Sequence, residues 1–129
     1  MSFFEFTQQD YDVIAREYAD LKEAAKKRCT EQNEMDVVQK AFDFANEAHR
    51  GVRRRSGEPY ILHPIAVAKI VVNNIGLGYK SIAAALLHDV VEDTDYTVDD
   101  IRHLFGDRIA LLVEGLTKIK VVLDNEDKA

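Results

Sequence analysis

The chain has 129 residues, 47% of them hydrophobic and 31% charged, with a net charge of −6. That length suits one domain with one core and is too short for two ordinary domains. The acidic balance disfavours general nucleic-acid binding, which needs a positive field to displace counterions, and no apolar run is long enough to span a bilayer.

The N-terminus, MSFFEFTQQD, has no basic flank, no long apolar stretch and no small-residue cleavage site, so no signal peptide is read there and a cytoplasmic protein is expected. Apolar residues then recur at spacings of three and four, which predicts an all-α chain of about six helices. The first begins after Thr7, with Tyr11, Ile14, Ala15, Tyr18, Leu21 and Ala25 as its apolar stripe and Lys26-Lys27-Arg28 at its C-terminal end, where cations suit the helix dipole. Cys29, the single cysteine, fits a reducing compartment and a packing role. After a polar break at Thr30–Asn33 the second helix runs from about Glu34 to His49, burying Val37, Val38, Ala41, Phe42, Phe44, Ala45 and Ala48, and Gly51 stops it.

Residues 51–63, GVRRRSGEPYILH, combine three arginines with two glycines and a proline and predict an irregular loop. Pro64 suits the first position of a third helix ending near Asn74, and Gly76-Leu77-Gly78 a turn. The fourth helix, about Tyr79 to Glu92, contains IAAALLHDVV and is apolar nearly all round, which marks it as central and buried. Thr97 caps a fifth helix that stops near Gly106. Asp107 caps a sixth, with Ile109, Leu112, Val113 and Leu116 inward, and the polar tail DNEDKA is expected to fray.

The chemistry concentrates in His88-Asp89-Val90-Val91-Glu92-Asp93, at the end of the most apolar helix. Burying such groups is costly unless a partner or a metal compensates the charge. His88 and Glu92 are four apart, as are Asp89 and Asp93, so one helix end offers an imidazole and three carboxylates to a small region. Carboxylates at a helix C-terminus oppose the dipole, and a cation makes them tolerable. A polar helix terminus with a satisfied histidine is the plainer alternative. Further ligands could come from His63, at the junction of loop and helix; His49 either supports the site or faces solvent, and His103 reads as surface. The arginine loop suits phosphate recognition, since guanidinium groups bind phosphate oxygens in forked pairs, although three consecutive arginines cannot all face one ligand.

These segments carry a resemblance. AHRGVRRRSGEPYILHP, then AAALLHDVVEDT, then IRHLFGDRIALLVEGLTKI, together spanning about Phe42 to Ile119, resemble the N-terminal hydrolase domain of the long Rel/Spo-type alarmone enzymes. Smaller stand-alone alarmone hydrolases share parts of it. The resemblance implies an all-helical HD-domain bundle that removes the 3′-pyrophosphate of ppGpp or pppGpp, giving GDP or GTP plus pyrophosphate, with Mn2+ as cofactor. Carried over by position, it implies that His63, His88 and Asp89 are metal ligands. Glu92 and Asp93 then match the acidic pair that activates or positions the attacking water. Arg54 and Arg55 match residues that contact the guanine nucleotide, with Val52 and Ser56 on the same binding loop. Synthetase-only relatives have lost the HD and acidic pairs; this chain keeps both.

One departure stands out. The family's fourth ligand, an aspartate, comes from a later helix with no counterpart before Ala129, and Asp124, Glu126 and Asp127 lie in the wrong context. The expectation is therefore a truncated HD domain from a longer parent. Alone it should be inactive or nearly so, and its uncovered apolar surface should favour self-association. The sequence leaves open whether the parent also acts as a GTP pyrophosphokinase. An HD phosphohydrolase for another nucleotide and a non-catalytic helical regulatory module are the competing readings; a DNA-binding domain is disfavoured by the charge, and no membrane association is expected.

Overall fold

A computed structural model describes the backbone of residues 5–128 and the side chains as far as residue 118. The N-terminal stretch read for a targeting signal lies partly outside the described residues, and so do the side chains of Asp124, Glu126 and Asp127. Six α-helices follow one another: α1 (Gln8–Ala25), α2 (Gln32–Ala48), α3 (Leu62–Ile70), α4 (Tyr79–Asp93), α5 (Val98–Phe105) and α6 (Asp107–Lys128), with a π-helical turn, Val71–Ile75, continuing α3. Among the described residues the only β-type pairing is an isolated antiparallel bridge between Arg53 and Pro59. The all-α expectation holds, and among the described residues no helix is long and apolar enough to cross a membrane.

Local signals set most of the boundaries. At α1 the Thr7 N–H donates to Asp10 Oδ2 (2.8 Å) and the Asp10 N–H to Thr7 Oγ1 (3.1 Å). The same reciprocal cap recurs at α5 between Thr97 and Asp100, and each satisfies two backbone donors that a helix start would leave unpaired. The stripe predicted for α1 is narrower in fact: Ile14, Tyr18, Leu21 and Ala25 are buried, whereas Ala15 is exposed and Tyr11 is 47% exposed. Asp107 is the first residue of α6 rather than a cap before it, and α6 runs on through Lys128 instead of fraying at the polar tail. That tail holds no glycine or proline to interrupt the backbone bonds.

The third helix starts two residues before Pro64. Leu62 N–H donates to Pro59 O (3.2 Å) and His63 N–H to Tyr60 O (2.9 Å), so the turn is wound before the proline. Pro64 then occupies a first-turn position, where a missing N–H breaks no intrahelical bond. His63 consequently belongs to α3 and not to the loop. At the far end Gly76 adopts φ 79°, and its N–H closes the π-turn onto Val71 O at 2.8 Å.

Helix α4 is the axis of the fold. It packs against α2, α3 and α6, while α5 lies on α6 and α1 on α3. Every residue from Ile82 to Val90 is buried. The small side chains of Ala83, Ala84 and Ala85 let the neighbours approach on several sides, and Leu86 and Leu87 fill the space between them. Tyr18 of α1 stacks on Phe42 of α2 with ring centroids 3.7 Å apart, and its hydroxyl donates to Gln39 Oε1 at 3.0 Å.

Candidate metal centre

The last buried turn of α4 meets the first turn of α3. His88 and Asp89 are carried into the interior by the same apolar helix that forms the core, and His63 faces them from α3. One ligand atom from each of His63, His88 and Asp89 lies within 4.8 Å of the other two, the geometry of a cluster able to hold a metal ion. His88 Nε2 is 3.3 Å from Asp89 Oδ1, and His63 Nε2 is 3.7 Å from Asp89 Oδ2. Asp89 is fully buried, at 0% exposure.

The imidazole of His88 is oriented from behind. Its Nδ1 lies 2.6 Å from Ala85 O. A carbonyl only accepts, so Nδ1 carries the hydrogen and Nε2 presents its lone pair to the cluster. A backbone carbonyl on the far nitrogen is the usual support for a ligating histidine. Two imidazole nitrogens and a buried carboxylate thus converge on one small region. The donor set therefore fits a borderline divalent ion.

Glu92 and Asp93 lie outside that ligand group, on the exposed turn that ends α4. Asp93 Oδ2 is 3.5 Å from His49 Nε2, which reaches it from the end of α2. His49 is 1% exposed. Of the two alternatives the sequence allowed, solvent and support, solvent is excluded. Its burial was foreshadowed by spacing, since Val38, Ala41, Phe42, Ala45 and His49 continue one face of α2. Tyr60 was not singled out from the sequence. It stacks on His49 (centroids 5.0 Å) and meets His63 edge-on (5.9 Å), so aromatic rings link His49 to the cluster.

The arginine loop joins α2 to α3, and its members differ. Arg53 Nη1 donates to Gly57 O (2.8 Å), its Nη2 pairs with Asp10 Oδ2 (2.6 Å), and the guanidinium lies over Phe6. Arg54 Nε is 3.8 Å from Glu58 Oε1, to which Ser56 Oγ donates at 2.7 Å. The Ser56 bond, with a smaller contribution from Arg54, holds the Glu58 carboxyl below its usual range. Arg55 is exposed, as is Val52 at 43%. Arg54, Arg55, Ser56 and Val52 are thus together on one exposed loop, and none belongs to the ligand cluster.

The family model for the HD domain matches residues 41–129. The chain belongs to the HD domain family. A guanosine-3′,5′-bis(diphosphate) 3′-pyrophosphohydrolase of Aquifex aeolicus is 46% identical over 94 residues, 73% of this chain and 13% of that protein. A probable GTP pyrophosphokinase of Mycobacterium leprae is 48% identical over 90 residues, covering 69% of this chain and 11% of the relative. A bifunctional (p)ppGpp synthase/hydrolase of Escherichia coli is 47% identical over 88 residues, 68% of this chain and 12% of the relative. The resemblance to the alarmone enzymes is borne out by these relatives, and the chain spans only about an eighth of their length.

Proposed function

We propose that the chain is a single HD-type domain contributing the metal and water-handling side of a ppGpp/pppGpp 3′-pyrophosphohydrolase, with Mn2+ as the working ion. The observation that carries this reading is the convergence of His63, His88 and Asp89 within 4.8 Å, with His88 Nδ1 anchored on Ala85 O. The names of the relatives supply the substrate class, a guanine nucleotide with a 3′-diphosphate.

When bound, the divalent ion supplies Lewis-acid polarisation of a phosphoryl oxygen and activation of water. His63, His88 and Asp89 hold it. Glu92 and Asp93, one helical turn beyond His88 and Asp89, accept hydrogen bonds from the attacking water and orient it. Arg54 and Arg55 are free of the clasp that holds Arg53 and take the nucleotide phosphates, with Val52 and Ser56 lining the same loop. The products are GDP or GTP and pyrophosphate.

The test is release of pyrophosphate from ppGpp by the full-length protein with added manganese, alongside a manganese-binding titration of the chain. His88→Ala should lower both affinity for the ion and turnover at least tenfold, as loss of a ligand requires. Manganese affinity unchanged in this variant would sink the ligand assignment. Faster turnover of another nucleotide would redirect the substrate and leave the metal centre standing.

A further inference from the structure

His49 is a buried histidine that the proposed reaction leaves unused. Three contacts fix its ring. Nδ1 lies 3.1 Å from Ala45 O, so that nitrogen carries a hydrogen. One face stacks on Tyr60, with the rings inclined by 24°. Nε2 is sealed from solvent, has no hydrogen bond of normal length, and lies 3.5 Å from Asp93 Oδ2. Buried polar atoms are rarely left without a partner, and the Asp93 carboxylate is the group within reach.

We infer that His49 is a positioning residue for Asp93. Asp93 is 41% exposed at the end of α4, where an aspartate would ordinarily sample several rotamers. With Nδ1 donating to Ala45 O, a ring that also carries a hydrogen on Nε2 donates it to one carboxylate oxygen of Asp93 and leaves the other oxygen to accept a hydrogen bond from the attacking water. This singles out Asp93 from Glu92 as the oriented acid of the pair. It also ties the end of α2, through Asp93, to the turn that follows the metal ligands. A purely structural link between α2 and α4 is the competing account, and it makes different predictions for turnover.

The inference rests on the hydrolase reading, and the experiment separates the two. His49→Phe, His49→Gln, Asp93→Asn and the His49→Phe/Asp93→Asn pair are compared in manganese-dependent ppGpp hydrolysis by the full-length protein. The imidazole nitrogen resonances of His49 are recorded in the zinc-loaded chain with and without Asp93→Asn. His49→Phe should lower kcat about tenfold with KM changed less than about twofold, the size of effect expected for losing an outer-shell partner. His49→Gln, whose amide can still donate to Asp93, should recover most of that loss. In the Asp93→Asn background His49→Phe should cost nothing further. Asp93→Asn should shift the His49 Nε2 resonance. An unmoved resonance, or a His49→Phe cost equal in both backgrounds, overturns the inference. If His49→Phe does not fold, His49→Gln and the spectra decide. Absence of hydrolysis in the full-length protein overturns the hydrolase reading, and the spectra alone then settle the pairing of His49 with Asp93.

Discussion

Asp10 Oδ2 accepts hydrogen bonds from the Thr7 N–H at 2.8 Å and from Arg53 Nη2 at 2.6 Å, so one carboxylate caps α1 and holds the arginine loop. The Arg53 guanidinium first, and the Thr7 backbone second, pull its pKa down to about 2. An unfolded aspartate titrates near 3.9. A folded pKa below the unfolded one means stability that is fully present above about pH 4 and lost as pH falls through about 2. Urea melts of the unsubstituted chain and Asp10→Asn should therefore differ by a constant amount from pH 5 to 7, and the gap should close between about pH 4 and pH 2. A gap that persists unchanged at pH 2 would place the stabilisation elsewhere. The same geometry resolves what three identical arginines in sequence could not. Spacing alone cannot say which of Arg53, Arg54 and Arg55 finds a partner 43 residues earlier in the chain. Nucleotide affinity should accordingly fall with Arg54→Met or Arg55→Met directly. With Arg53→Met it should fall only through loosening of the loop, visible as a lower melting temperature in the same variant.

Among the helices, α4 carries both the centre of the core and two of the three candidate ligands. Leu86 is fully buried on it, whereas Leu111, on α6, is 58% exposed. Leu86→Ala should cost about 2–5 kcal/mol, from lost burial plus the cavity left behind. Leu111→Ala should stay within about 0.5 kcal/mol. Similar costs in chemical denaturation would mean that α4 is not the axis of the packing. The central place of this helix was legible in the sequence because an all-round apolar face has no other stable location. The caps at Thr7 and Thr97 were legible for an equally local reason: both partners lie three residues apart. The start of α3 was misjudged because Pro64 is compatible with more than one first-turn position, and the choice is made by the Pro59 and Tyr60 carbonyls. The metal cluster shows both limits. His88 and Asp89 announced themselves on an apolar helix, and His63 was a candidate from its place beside Pro64 that the family resemblance then singled out. The partnership of His49 with Asp93 joins α2 to α4 and has no signature within either helix.

At the scale of the whole molecule, the cluster is a junction between helices. His63 comes from α3 and His88 and Asp89 from α4, so an ion held by them would tie two helices together. The unfolded chain does not hold these three groups together, and binding therefore favours the folded state. The linkage has a definite size: a ligand at a hundredfold excess over its Kd stabilises the native state by about 2.7 kcal/mol. For a domain of this length that corresponds to a rise in Tm of roughly 10 °C. Thermal unfolding followed by circular dichroism should show this rise on adding manganese, and EDTA should reverse it. His88→Ala should flatten the response, because Nε2 of that residue is presented to the cluster with Nδ1 held on the Ala85 carbonyl. Glu92→Gln should retain the full rise, since that acid lies outside the ligand group. A manganese-dependent rise equal in the unsubstituted chain and in His88→Ala would mean that the ion binds elsewhere, and an equal loss in Glu92→Gln would move the centre of the site one turn along α4.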